Sequence, residues 1–135
     1  MTGLRMTLTG SLLLFQAAVE AIASLAAPML IEGIGPPDIP LLPWETADLR
    51  RESAAASSAL IVLAVVSMTA GIARLRRRDG GLNTLVAAHA GGALAVVWYG
   101  SPLLGVVMLS TAIGWAAVLH GDARQPDDSA KLSLT

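Results

Sequence analysis

The chain of 135 residues has no cysteine. That single absence excludes disulfides, thiolate nucleophiles, iron–sulfur clusters and cysteine-based zinc sites, and it leaves the redox compartment unreadable. Histidine is nearly as scarce, at two residues, which argues against an imidazole-rich metal site; no metal and no cofactor is expected. Charged residues make up 14% of the chain, well below the roughly 25% of ordinary soluble domains. The net charge is −1, so there is no basic excess to mark a nucleic-acid partner. G-x-G-x-x-G, Walker, H-E-x-x-H and G-x-S-x-G patterns are missing too, which removes the footholds for nucleotide handling, zinc hydrolysis and a serine triad.

What the sequence has instead is apolar mass: 54% hydrophobic residues and a mean hydropathy of +0.64. A helix crossing about 30 Å of hydrocarbon needs roughly 20 largely apolar residues. Four windows approach or meet that length, near residues 6–29, 54–73, 82–100 and 102–120. Pro28 and the "GIGPPDIP" run are expected to stop the first, "RLRRRDGG" the second, and "GSP" at 100–102 to turn the third into the fourth. The expected fold is all-α: a multi-pass protein of the cell membrane with a four-helix transmembrane domain over residues 1–121 and a disordered tail over 122–135.

Arg74, Arg76, Arg77 and Arg78 share one short loop, and the positive-inside rule keeps that loop in the cytoplasm. Counting outward, seven basic residues fall inside and two, Arg50 and Arg51, outside, which gives an N-in, C-in topology. Trp44, Trp98 and Tyr99 then lie near the outer interface. A rival reading makes the first 28 residues a cleaved signal peptide, with a basic start, an apolar middle and small residues near its end; Gln16 and Glu20 interrupt the apolar stretch such a peptide needs. The Pro-rich segment over residues 30–52 is expected to fold against the bundle mouth. From Pro43 it carries a helix start, with Glu45 and Asp48 near the positive end of the dipole, so the second helix should project beyond the bilayer.

The spans hold more polar side chains than lipid favours. At 100° per residue Thr9, Gln16, Glu20 and Ser24 form a polar seam on the first helix, away from Leu12, Phe15, Val19 and Ile22. An ionised carboxylate at bilayer depth costs at least about 2.5–3.5 kcal/mol on insertion scales, so Glu20 must face the bundle, hold a proton or find a partner. The second helix carries a stripe of Ser53, Ser57, Ala64, Ser67 and Gly71, which close helix packing explains by itself. The third sets His89 with Gly92 and Ala93, and the fourth lines up Ser110, Gly114 and Ala117; all four helices are expected to turn these faces inward.

Glu20 and His89 are the ionisable groups deep in the spans, and either can give or take a proton. Their depths differ: His89 sits about 10 Å from the cytoplasmic start of its helix and Glu20 about 20 Å from its own, so a direct pair needs a tilt, a shifted start or a water. Each also has a plain structural explanation, His89 as a neutral imidazole bonded to a serine or carbonyl, and Glu20 as a protonated acid bonded to Gln16 or a serine. His120 is explained by a helix C-terminus. The basic loop suits anionic headgroups as well as topogenesis, and Arg50 and Arg51 suit local ion pairs with Glu45, Asp48 and Glu52.

A long outer segment, a second helix opened by "ADLRRESAAASSALIVLAVV", a basic inner turn and two short closing helices together resemble the DoxX-like group of small four-helix membrane proteins. The resemblance spans about residues 5–120 and implies a fold rather than a reaction. Two functions then stand. In the first, the bundle encloses a polar-lined pocket for a lipophilic small molecule, as a binding protein or a cofactor-free acid–base enzyme (isomerase, cyclase or epoxide-opening), with Glu20 and His89 catalytic and Gln16, Ser24, Ser67 and Ser110 holding the ligand. In the second, the chain is an accessory or assembly subunit whose small-residue faces pack on a larger membrane complex and whose Glu20 pairs with a residue of that partner; membrane lipid and a second copy of the chain are further expected partners.

Overall fold

A computed structural model of the chain describes residues 2–32, 42–78 and 80–124. They form four helices in an antiparallel membrane bundle: α1 (Thr2–Glu32), α2 (Pro43–Leu75), α3 (Leu82–Trp98) and α4 (Pro102–Arg124). α1, α2 and α4 are long and apolar enough to cross a membrane, while α3, with 17 residues, is shorter. The packing order is α1 on α2, α2 on α3 and α3 on α4, and α1 meets α4 through long side chains. The apolar surface is turned outward: Leu12, Phe15 and Ile22 of α1, Leu94 of α3 and Leu103 and Ile113 of α4 are all exposed. Their solvent is hydrocarbon. The interior holds two apolar layers, one around Leu60, Leu63, Val96 and Met108, the other around Leu13, Leu82, Leu85 and Trp115.

Several boundaries differ from the sequence expectations. α1 does not stop at Pro28 but runs on to Glu32. A proline inside a helix removes the N–H that would bond the carbonyl four residues back, here that of Ser24. The hydroxyl of Ser57 on α2 donates to that carbonyl at 2.9 Å, so a neighbouring helix satisfies the freed group and the helix continues. α4 extends to Arg124, so residues 122–124 are helical rather than tail. α3 ends at Trp98 rather than at residue 100. The Pro-rich stretch 33–41 and the tail from 125 lie outside the described residues.

α2 does begin at Pro43, where the Leu42 N–H donates to Glu45 at 2.8 Å and proline occupies the first turn. Its 33 residues span about 50 Å, well beyond a bilayer core. α1 and α2 approach to backbone contact at Gly10 and Gly71: a Cβ on Gly71 would lie 3.0 Å from the Gly10 carbonyl, and one on Gly10 3.1 Å from that of Gly71. Small residues replace the hydrophobic effect here as the source of close helix association.

The N-terminal end of α1, the arginine-rich turn and the C-terminal end of α4 lie together. Arg5 and Arg74 both bind Asp122, each at 3.0 Å. Four antiparallel helices therefore bring the two described ends to one end of the bundle.

Candidate functional site

Gln16 and Glu20 are one turn apart on α1, so they share a face. That face meets Ser67 of α2, His89 of α3 and Trp115 of α4, and the five side chains form one hydrogen-bonded network across all four helices. Glu20 and His89 are in direct contact, with Oε1 to Nε2 at 2.7 Å. The difference in depth is resolved by a shifted helix start. The turn after α2 doubles back through Gly80 and Gly81 at φ +142° and +88°, and Gly81 packs against Ala70. α3 thus begins level with a residue five positions short of the end of α2, about 7 Å deeper into the bundle.

Hydrogen positions follow from what each group is able to do. The indole Nε1–H of Trp115 donates to Oε1 of Gln16 at 2.7 Å, which fixes the amide so that its NH2 faces the opposite way. That NH2 has two acceptors in reach, Glu20 Oε1 at 2.9 Å and Ser67 Oγ at 3.3 Å, and also lies 3.0 Å from His89 Nε2, which is already engaged by Glu20. The Ser67 hydroxyl donates to the other oxygen of Glu20 at 2.9 Å. Nδ1 of His89 lies 2.8 Å from the Leu85 carbonyl, an acceptor only, so Nδ1 carries a hydrogen. Two bare lone pairs would repel at the Glu20–His89 distance, so a proton sits between them. It belongs either to a carboxylic acid bonded to neutral imidazole or to an imidazolium bonded to carboxylate. Both forms leave the pair with zero net charge, and that is how a carboxylate position is tolerated at this depth.

The network is buried and complete. Glu20 is 8% exposed and His89 1%, and among the described residues no buried side-chain nitrogen or oxygen lacks a partner. Among them, too, no group of three or more metal-ligating side chains converges.

Not every residue singled out in the sequence joins this cluster. Ser24 is buried one turn beyond Glu20, but its hydroxyl returns to the Ala21 carbonyl at 2.6 Å. Ser110 is exposed and bonds the Val106 carbonyl of its own helix. Ser110, Gly114 and Ala117 all face outward, which corrects the expectation of an inward small face on α4; Gly105, Met108, Ala112 and Trp115 take that place. Thr9 serves a separate network, accepting from Arg74 Nε at 2.8 Å. Outside the site, Arg51 pairs only loosely with Asp48 at 3.9 Å, and Glu52 accepts from Ser101 at 2.7 Å instead of from an arginine.

Beside the network runs an apolar groove of about 420 Å³ between α1 and α2, within the size range of small-molecule sites. Ala17, Ala21 and Ser24, which flank Glu20 on α1, line one wall, and Ala64 and Met68, which flank Ser67, line the other. The groove therefore follows the seam that the Glu20–Ser67 bond closes. Its lining is apolar except for Ser24, unlike the polar-lined pocket expected.

Set against family models, curated proteins and solved structures, the chain matches none of them. The site's chemistry is read from its own geometry.

Sequence reasoning missed Trp115 and Arg74. A tryptophan mid-span has an N–H that needs a partner when buried, and that signal was available. In sequence Arg74 reads as one of the loop arginines, but it lies within α2 and is 4% exposed.

Proposed function

We propose that this membrane protein takes a lipophilic small molecule into the α1–α2 groove and acts on it, or holds it, through the Glu20–His89 pair. The observation that carries this is the 2.7 Å contact between the two groups, inside a network whose every donor is directed. A shared proton between an acid and a base of this kind is released to a bound group from one partner and recovered from another position of the same molecule by the other. Isomerisation or ring closure needs no more than that, with no net proton, electron or co-reactant. Gln16 and Ser67 orient the pair, and a ligand in the groove reaches it by parting the α1–α2 seam at Ser67. The arginine-rich end faces the cytoplasm by the positive-inside rule, and the helix layout is that of the DoxX-like group; both belong to the same proposal.

The test is mass spectrometry of lipid extracts from purified wild-type protein and from Glu20→Gln. A lipophilic compound enriched with the wild type and altered in amount or form with the variant supports the proposal. Identical extracts from the two proteins count against it.

The outward stripe of Ser110, Gly114 and Ala117 favours a second reading, an accessory subunit. A Cβ on Gly114 would meet nothing within 4 Å, and exposed small residues at this spacing suit a further transmembrane helix. Copurification of a stoichiometric membrane protein in mild detergent would favour this reading over the first.

A further inference from the structure

At the arginine-rich end of the bundle one charged side chain is sunk far deeper than its neighbours. The Arg74 side chain is 5% exposed, whereas Arg76, Arg77 and Arg78 are exposed. Its Nε donates to Thr9 at 2.8 Å and its Nη2 to Asp122 at 3.0 Å. The other carboxylate oxygen of Asp122 accepts from Arg5 at 3.0 Å. Among the described residues, two guanidinium groups thus face one carboxylate. Nη1 of Arg74 has no hydrogen-bond partner among the described residues, and the side chain borders open space.

That space is a cavity of about 540 Å³ lined by Arg74, Gly80, Gly81, Asn83, Leu119 and Asp122, among others. α3 starts in its wall, and its N-cap, Gly81, supplies no side-chain cap, so the first-turn N–H groups remain for another acceptor. Topogenesis accounts for the exposed arginines. It does not account for a guanidinium drawn into the bundle beside a cavity.

We propose that this cavity binds a phosphate group, presented either on an anionic phospholipid or as free phosphate. A guanidinium suits phosphate in both charge and geometry, and amides at a helix N-terminus complete such a site. Asp122 does not forbid the anion, since Arg5 and Arg74 hold both of its oxygens. The site is separate from the Glu20 network and stands whether or not that network is catalytic.

The experiment uses the full chain, first in zwitterionic detergent titrated with inorganic phosphate, then in phosphatidylcholine nanodiscs with a rising fraction of phosphatidylglycerol. Chloride at matched ionic strength is the control for screening. Thermal unfolding and native mass spectrometry read binding for wild type, Arg74→Gln and Asn83→Asp. Asn83→Asp places a negative charge at the cavity wall, but in the first turn of α3, where an acid favours the helix; it therefore keeps the test sound if Arg74→Gln fails to fold. The expected result is stabilisation of the wild type by one probe and an apparent affinity weakened about tenfold in Asn83→Asp. A response to inorganic phosphate assigns the free ion, and a response to phosphatidylglycerol alone assigns the headgroup. No response of the wild type to either probe, or an undiminished response in Asn83→Asp, overturns the proposal.

Discussion

Trp115 on α4 donates to Gln16 on α1 at 2.7 Å, and this one bond decides that the Gln16 amide presents nitrogen rather than oxygen to Glu20 and His89. Trp115→Phe keeps most of the buried ring and removes the donor. The amide is then free to flip and set its oxygen against Glu20 Oε1. Interhelical hydrogen bonds in membranes contribute about 0.6 kcal/mol on average and at most about 1.7, so the loss of stability should stay in that range. Any activity or ligand retention that needs the oriented pair should fall by much more. Thermal unfolding measured beside ligand retention separates the two effects; equal and small changes in both would show that the orientation does nothing.

Glu20→Gln should leave the fold nearly intact. An amide at this position remains uncharged, still donates to a neutral His89 and still accepts from Ser67, while the Gln16 NH2 that faced Glu20 Oε1 turns to Ser67 Oγ, 3.3 Å away. His89→Leu differs, because it removes the imidazole that shares the Glu20 proton and strands a buried polar group, at a cost of about 1–3 kcal/mol. Unfolding in detergent should therefore rank wild type close to Glu20→Gln and both above His89→Leu. If Glu20→Gln proves the less stable variant, the shared-proton assignment is wrong.

Much of the site could be read from Glu20 because hydrocarbon penalises a bare acid, and that cost leaves few places for it to go. Gln16 and Ser67 followed from sharing its seam and the facing stripe. His89 was found as the remaining ionisable group at depth, but contact between the two depended on where α3 starts, which a tight Gly80–Gly81 turn sets and no periodicity reports. Ser110, Gly114 and Ala117 were misplaced for a different reason. Small residues suit both a helix interface and lipid, so a small stripe on a helix that is apolar all round does not say which way it faces. Pro28 looked like a stop because the hydroxyl that repairs its missing bond comes from Ser57, 29 positions later in the chain.

The groove between α1 and α2 can be closed without touching the network. Ala18 and Ala64 both line it, and Ala18 is exposed while Ala64 is only half-buried, so leucine at either position should be accommodated with little change in stability. Leucine at both should displace a lipophilic occupant, and the compound enriched with wild-type protein should disappear from extracts of the double variant while its unfolding temperature is kept. Retention of the compound would move the ligand elsewhere.

Gly71 and Gly114 make opposite predictions for the same substitution. At Gly71 the α1 backbone lies within 3.0 Å of where a Cβ would be placed, so Gly71→Leu should separate α1 from α2 at Gly10 and cost more than the 1–3 kcal/mol of ordinary overpacking. At Gly114 nothing stands within 4 Å, so Gly114→Leu should leave the isolated bundle as stable as the wild type. Its effect is expected only in the membrane: if α4 packs on a further helix through Ser110, Gly114 and Ala117, the leucine blocks that contact, and size-exclusion profiles in mild detergent shift to smaller species. An unchanged profile, with a wild-type profile already that of a monomer, would leave the stripe facing lipid.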